Sequence, residues 1–319
     1  MDNNKKRYDF NFNLSSLSTY TDEVGGELIR RAILESETIK IVKVQPGVKG
    51  SQAINLLNSD LYVQDGTCGW SPSGQTIYTQ RDITVCQYKI NETLCPADLN
   101  NYWLGQLLTP GSTPETVPFE QQISELKVAQ ISQYVENTIW GASSATTCFS
   151  GIKELVRGVS GTTADTATVT GGIVVPGQSA LNSTTALSQI DNLIEQIPDD
   201  VVNRTDWVVF MSHANYRKYL INYRTANYYH FNPEGSYQEF KTFHPATNIL
   251  VHPVGGLLNS NLIVLVPAGY VVAGVDLMSD MDNLKMFYSV DFDEVRLRCN
   301  FKIGVQIAWP QFVITNGLT

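Results

Sequence analysis

The sequence predicts an α+β protein with an elongated β part, and three observations carry that prediction. Residues 295–309 hold an apolar side chain at every odd position. Residues 119–140 place apolar side chains on one broad helical face. Between these segments lies an α/β unit: helix 185–196, strand 207–211 and helix 213–223. At 319 residues, 43% hydrophobic and 17% charged, the chain has a folded composition and length for two domains or a row of lobes.

Taken in order, residues 1–20 are polar and irregular and read as an arm. Thr21 or Asp22 can cap a short helix to about Glu35, with Val24, Leu28, Ala32 and Ile33 on one face and a weakening Gly25-Gly26 pair. A strand over 39–44 stops at Pro46-Gly47. From 47 to 88 Gly, Ser, Gln, Thr and Asp dominate, with short alternating pieces at 61–63 and 83–85. The expectation is an extended two-stranded excursion with little core of its own, supported by another chain. An ordinary surface insertion is the alternative.

Helix 119–140 follows Thr116 and Pro118, carries Glu120 in its first turn and ends before Gly141. Ile123, Leu126, Val128, Ile131, Val135 and Ile139 form its apolar face. Its length would be about 33 Å, that of a structural spine. Residues 158–183, rich in Gly, Ser, Thr and Ala, form a connection, and Ser212 is placed to cap helix 213–223. An aromatic, polar stretch at 227–243 leads into short strands at 249–254 and 262–266.

In the last segment Val295, Leu297, Cys299, Phe301, Ile303, Val305, Ile307 and Trp309 share one face. The intervening positions are mostly polar, with Arg296, Arg298 and Lys302 among them. Such a strand would reach about 50 Å, against an ordinary length of about six residues. Residues 285–292 read as its hairpin partner, with Asp291, Asp293 and Glu294 marking the turn. A hairpin of that length belongs to a lobe made to meet neighbours, not to a compact sandwich.

The net charge of −9 argues against a dedicated nucleic-acid binder. The one basic run, Lys5, Lys6 and Arg7, reads as a solvated tail. No apolar stretch has the length of a bilayer span or the form of a signal peptide, so the expectation is a protein made in a cytoplasm. Five cysteines without a paired motif favour free thiols, and the gaps among Cys68, Cys86 and Cys95 are wrong for zinc. No phosphate-binding loop, dinucleotide fingerprint, HExxH or GxSxG occurs. Ser212 and His213 are chain neighbours whose side chains diverge, and His230, His244 and His252 lack ligand spacing. No catalytic, cofactor or metal site is therefore expected. The acidic residues Asp276, Asp280, Asp282, Asp291, Asp293 and Glu294 lack the Gly and terminal Glu of a calcium loop. Solvated turns, or charge pairs with Arg296 and Arg298 of a neighbouring subunit, fit them better.

The segments ELKVAQISQYVENTIWGA, NLIVLVPAGYVVAGVDL and DNLKMFYSVDFDEVRLRCNFKIGVQIAWPQFVI carry a resemblance. With the order of elements around them, they resemble the Hong Kong 97-type major capsid proteins of tailed double-stranded DNA phages, podovirus-like and extending to phages of Bacteroidetes hosts. The sequence likeness is concentrated in 262–314 and 125–142 and is topological elsewhere. It implies an N-terminal arm with a short helix at 1–46, an extended loop at 47–88, and a peripheral lobe with the spine helix at 89–149. An axial α/β lobe at 150–255 follows, then peripheral β strands with the long hairpin at 256–319.

What the resemblance implies is assembly into hexamers and pentamers of an icosahedral shell around DNA, held without sequence specificity. Expected partners are other copies of the chain, a separate scaffolding protein, a portal and decoration proteins. The expected location is the virion, assembled in the host bacterial cytoplasm, with no membrane contact. Expected assembly contacts are Lys49, Asp291, Asp293, Glu294, Arg296, Arg298 and Lys302. Lys49 with Asn283 or Asn300 could form a lysine–asparagine cross-link of the kind some relatives carry, but no supporting glutamate is identifiable. The same fold leaves a second reading, an encapsulin-like nanocompartment shell with an enzyme cargo. A soluble α+β enzyme or binding module is the third.

Overall fold

The computed structural model describes residues 36–59, 76–95, 119–141, 148–159, 172–176, 178–226, 242–276, 285–292 and 294–318, with Ile33, Val63, Asp65, Gly66 and Cys68. The expected arm and its basic run lie outside them, as do nearly all of the first helix, Thr116, Pro118, His230, Asp280, Asp282, Asn283 and Asp293. The chain divides into two units: Met1–Ala32, Gln87–Gln130 and Ser279–Phe301 in one, Ile33–Cys86, Ile131–Met278 and Lys302–Thr319 in the other.

In the larger unit, the segment expected as a strand at 39–44 begins as a turn. The N–H groups of Ile41 and Val42 both bond the Thr38 carbonyl, so strand β1 starts only at Lys43 (Lys43–Pro46). Ile39 and Val42 are buried all the same, which is why the run looked strand-like. Strands β2 (Ser51–Ser59) and β3 (Thr76–Thr84) form a sheet of their own. Their register runs unbroken from Ser51↔Thr84 to Ser59↔Thr76, and the two-stranded excursion is present as expected.

Beyond strand β4 (Cys86–Leu94) comes helix α1 (Phe119–Trp140), with the bounds its sequence predicted. Val128, Ile131, Val135 and Ile139 are buried, spaced by three and four residues. Leu126 lies off that stripe and is exposed; the buried position beside it is Ser124. Helix α2 (Ile152–Val159), the short strand β5 (Ile173–Val174) and helix α3 (Ala186–Ile194) follow.

The α/β unit is built on strand β6 (Trp207–Ser212), every residue of which is buried. Such a continuous apolar run suits a central strand covered on both faces. Trp207, Val209 and Met211 pack into a core with Ile190 and Leu193 of α3 and with Tyr219 of α4 (His213–Ala226). Phe210 points the other way and meets Trp140 edge-on at 5.5 Å. Ser212 caps α4 as expected, its Oγ accepting the Asn215 N–H at 3.3 Å. Helix α4 is the crossover from β6 to the parallel strand β8 (Leu250–Val254). With β7 (Thr242–Phe243), β9 (Val264–Pro267) and β13 (Ile314–Thr315), these strands make a six-stranded sheet in the order β5-β13-β9-β6-β8-β7.

Strand β10 (Val271–Val275) pairs in parallel with β1 and antiparallel with the second half of β12 (Glu294–Ile307). Its sequence, VVAGV, is buried on both faces and so shows no alternation to read. In the smaller unit β11 (Lys285–Ser289) pairs with the first half of β12, from Lys285↔Arg298 to Ser289↔Glu294. The partner strand expected at 285–292 thus stops at Ser289. Val290 and Phe292 continue its alternation but sit in the turn, 82% and 69% exposed. Tyr88 of β4 stacks on Phe301 at 5.4 Å, and Lys127 of α1 pairs with Glu92 at 2.5 Å.

Strand β12 bears out its odd–even pattern: every odd residue from Val295 to Ile307 is at most 3% exposed. The strand ends at Ile307, short of Trp309. Its even face is less open than expected, since Asn300 is buried and Gly304 is covered.

The expectation of free thiols needs correction. Cys86 and Cys148, 62 residues apart, form a disulfide with 5.6 Å between their Cα atoms. No local spacing can announce a pair made by folding alone. Cys68 and Cys95 are exposed and Cys299 is buried, all three outside the disulfide.

Candidate assembly surfaces

The β2–β3 hairpin has a built root. Gly274 of β10 and Gly304 of β12 stand directly opposite each other in the ladder. Their missing side chains leave a notch that Ile83, Thr84 and Val85 fill. A Cβ on Gly304 would collide with the Thr84 carbonyl oxygen and lie 3.0 Å from Val85 Cα; one on Gly274 would lie 2.9 Å from Ile83 Cδ1. Ile83 and Val85 are buried there with Val48, Leu56, Val272 and Ala308. Gln306 Nε2 donates to the Asp82 carbonyl at 2.9 Å, and Val85 N–H donates to the Gly50 carbonyl at 2.9 Å. Away from this root the hairpin is exposed. Leu57 and Tyr78 are cross-strand partners and both lie open to solvent, apolar surface without a cover among the described residues.

The residues expected as assembly contacts fall into two groups. In the larger unit Lys302 is held within the chain. Its Nζ donates to Asp276 Oδ2 at 2.8 Å and to the Lys49 carbonyl at 3.4 Å. Asp276, expected in a solvated turn or in a charge pair with Arg296 or Arg298 of a neighbouring subunit, is 1% exposed and forms this partly buried ion pair within the chain. The Lys49 side chain is exposed.

In the smaller unit Glu294 pairs with Arg296 at 2.7 Å, and the Arg296 guanidinium lies 4.8 Å from the Phe292 ring centroid. Asp291 is exposed in the turn, and Asp293 lies outside the described residues. Arg298 is exposed opposite Lys285. Neither has a carboxylate partner among the described residues. Two like charges directly across a ladder repel. An acidic surface would relieve that repulsion.

One polar cluster escaped the sequence reading. Glu136 of α1, 5% exposed, accepts hydrogen bonds from Ser36 Oγ, from Thr38 N–H at 3.0 Å and from Thr38 Oγ1 at 2.5 Å. Trp140 Nε1 donates to Thr38 Oγ1 at 2.6 Å. Beside it, Glu37 Oε2 accepts the Gly255 N–H at 2.7 Å and lies 3.2 Å from His213 Nε2. In sequence Glu136 looks like any polar residue of an amphipathic helix. The only hint was its position next to buried Val135.

His252 shares this neighbourhood, its ring edge-on to Phe210, its Nε2 buried without a partner among the described residues. Burial pushes its pKa below the ordinary 6.5; Glu37 opposes the shift, while His213 and Lys40 reinforce it. A histidine kept neutral by folding stabilises the fold above pH 6.5, and that stability is lost as pH falls towards the depressed folded value. Thermal melts from about pH 8 to about pH 5 should therefore fall less steeply for His252→Gln than for the parent. Parallel curves would show that His252 does not contribute.

No protein-family model matches the sequence, and no curated protein does either. Solved structures do. A chain of the satellite phage P4 procapsid with its size determination (Sid) protein aligns over 91% of this chain and 89% of its own, with a TM-score of 0.58 at 11% identity. A chain from the capsid of an empty GTA particle aligns over 88% of each, with a TM-score of 0.54 at 11% identity. A chain of a virus-like particle from Pyrococcus furiosus aligns over 93% of this chain and 98% of its own, with a TM-score of 0.52 at 10% identity. The fold is thus that of shell-forming particle proteins. Within that class it is the Hong Kong 97-type capsid fold, as the resemblance of residues 125–142 and 262–314 implied.

Proposed function

We propose that the chain is a structural shell subunit, the major capsid protein of a tailed phage, which assembles with its own copies into hexamers and pentamers around double-stranded DNA. The observation that carries this reading is the fold match with a P4 procapsid chain over 91% of the sequence. The exposed Leu57–Tyr78 pair on a hairpin with little core fits it, because such a hairpin is marginal unless a neighbour covers it. In this reading the loop at 47–88 reaches an adjacent subunit, 150–255 is the axial lobe, and 89–149 with 256–319 make the peripheral lobe. Its further partners in this reading are a scaffolding protein, a portal and decoration proteins. The net charge of −9 would hold packaged DNA loosely.

Negative-stain electron microscopy of the full chain, alone and with co-expressed phage proteins, tests the reading. Rings, sheets or shells are the expected result, and a monomer under every condition overturns it. DNA inside native particles separates a virus from a nanocompartment, in which an enzyme cargo would be found instead. Of the proposed contacts Lys49, Asp291, Asp293, Glu294, Arg296, Arg298 and Lys302, Arg298 has the most open side chain on the strand. Arg298→Glu is expected to cut particle yield about tenfold or more while leaving the circular dichroism spectrum unchanged. Normal yield would remove Arg298 from the contact set.

A further inference from the structure

We propose that Cys86 and Cys148 are a redox modification site that locks the root of the β2–β3 hairpin. Cys86 directly follows the Ile83–Val85 segment seated in the Gly274–Gly304 notch, and Cys148 precedes α2. The seat, the Gln306 to Asp82 bond and the Val85 to Gly50 bond hold the root without any covalent link. On the Cys148 side Phe149 and Ile152 are buried and Gly151 lies tight against the Ile139 and Gly141 carbonyls, so each cysteine sits on a segment that packing also holds. The bond then becomes conditional on the surroundings: two thiols in a reducing compartment, a disulfide in an oxidising one.

The site is asymmetric in a way that suits exchange. Cys148 is exposed and Cys86 is 4% exposed, so an incoming oxidant reaches Cys148 first. The Cys148 N–H donates to Cys86 Sγ at 2.8 Å, a second contact that holds the two residues side by side. With oxidised glutathione, the Cys148 thiolate attacks one glutathione sulfur and releases the first glutathione thiolate. The Cys86 thiolate then attacks Cys148 Sγ in the mixed disulfide and releases the second. Two protein thiols and one glutathione disulfide become one protein disulfide and two glutathione thiols, the two protons passing to the leaving thiolates. Closing a loop with a 62-residue separation restricts the unfolded chain strongly. The proposal concerns the subunit itself and stands whether or not the shell reading does.

The test uses the full chain purified in reductant and then treated with oxidised glutathione. After oxidation, three of the five cysteines should alkylate once the chain is denatured, which opens buried Cys299, and peptide mapping should recover the 86–148 link. Adding dithiothreitol should lower the melting temperature by about 5–10 °C. Cys86→Ser and Cys148→Ser should each melt with the reduced parent and ignore the reductant. Because Cys86 is buried, Cys148→Ser at its exposed position carries the comparison should the first variant misfold. Five alkylating cysteines after oxidation, a link mapped to Cys68 or Cys95, or a parent melt unmoved by reductant would each overturn the proposal.

Discussion

Glu136→Ala is expected to cost about 3–5 kcal/mol of unfolding free energy, seen as a lower denaturant midpoint with an unchanged slope. The carboxyl group is almost wholly buried and satisfies three donors, Ser36 Oγ, Thr38 N–H and Thr38 Oγ1. Truncation leaves those donors without an acceptor and opens a void beside Trp140, whose Nε1 depends on the same Thr38 hydroxyl. Each orphaned buried donor costs about 1–3 kcal/mol. Glu136→Gln keeps the shape and one acceptor, so about 1–2 kcal/mol is the expected loss there. A Glu136→Ala protein within about 1 kcal/mol of the parent would mean that water replaces the carboxyl at little cost.

Gly304→Val should be comparably severe, about 3 kcal/mol or more, for a different reason. The atom in the way is the Thr84 carbonyl oxygen, part of a backbone that cannot step aside without unseating the hairpin root. Gly274→Ala meets the side-chain ends of Ile83 and Val85 at 2.9 and 3.1 Å instead, which give more readily than a backbone carbonyl, so a loss of about 1–2 kcal/mol is expected. Gly50→Ala, with nothing within 4 Å, is the control and should leave stability within about 0.5 kcal/mol. Thermal denaturation of the three variants gives the ranking, and a Gly304→Val protein as stable as Gly50→Ala would refute the notch.

The elements legible in the sequence are those with one clean periodicity. The odd positions of β12 and the three-four spacing of α1 announced themselves because each has one buried face. Strand β10 was silent because both of its faces are covered. Val290 and Phe292 misled because alternation continues past the point where the chain turns, and apolar residues in a turn look like strand. Among the candidate contacts, Arg298 emerged exposed as expected, whereas Lys302 was claimed by Asp276, a partner from another strand. The notch, the Glu136 cluster and the disulfide share one cause of invisibility. Each joins segments far apart in the chain through residues that are ordinary where they stand.

The seated root also has a mechanical meaning. Nine paired residues at about 3.4 Å each make the hairpin a lever roughly 30 Å long, with the Gly274–Gly304 notch as its fulcrum. A push delivered near Ser59 and Thr76 reaches the notch as a torque, and there a covalent strut adds to what packing and hydrogen bonds already resist. Joining or parting two sulfur atoms beside the fulcrum would then change how firmly the arm is held at its base without altering one residue along its length.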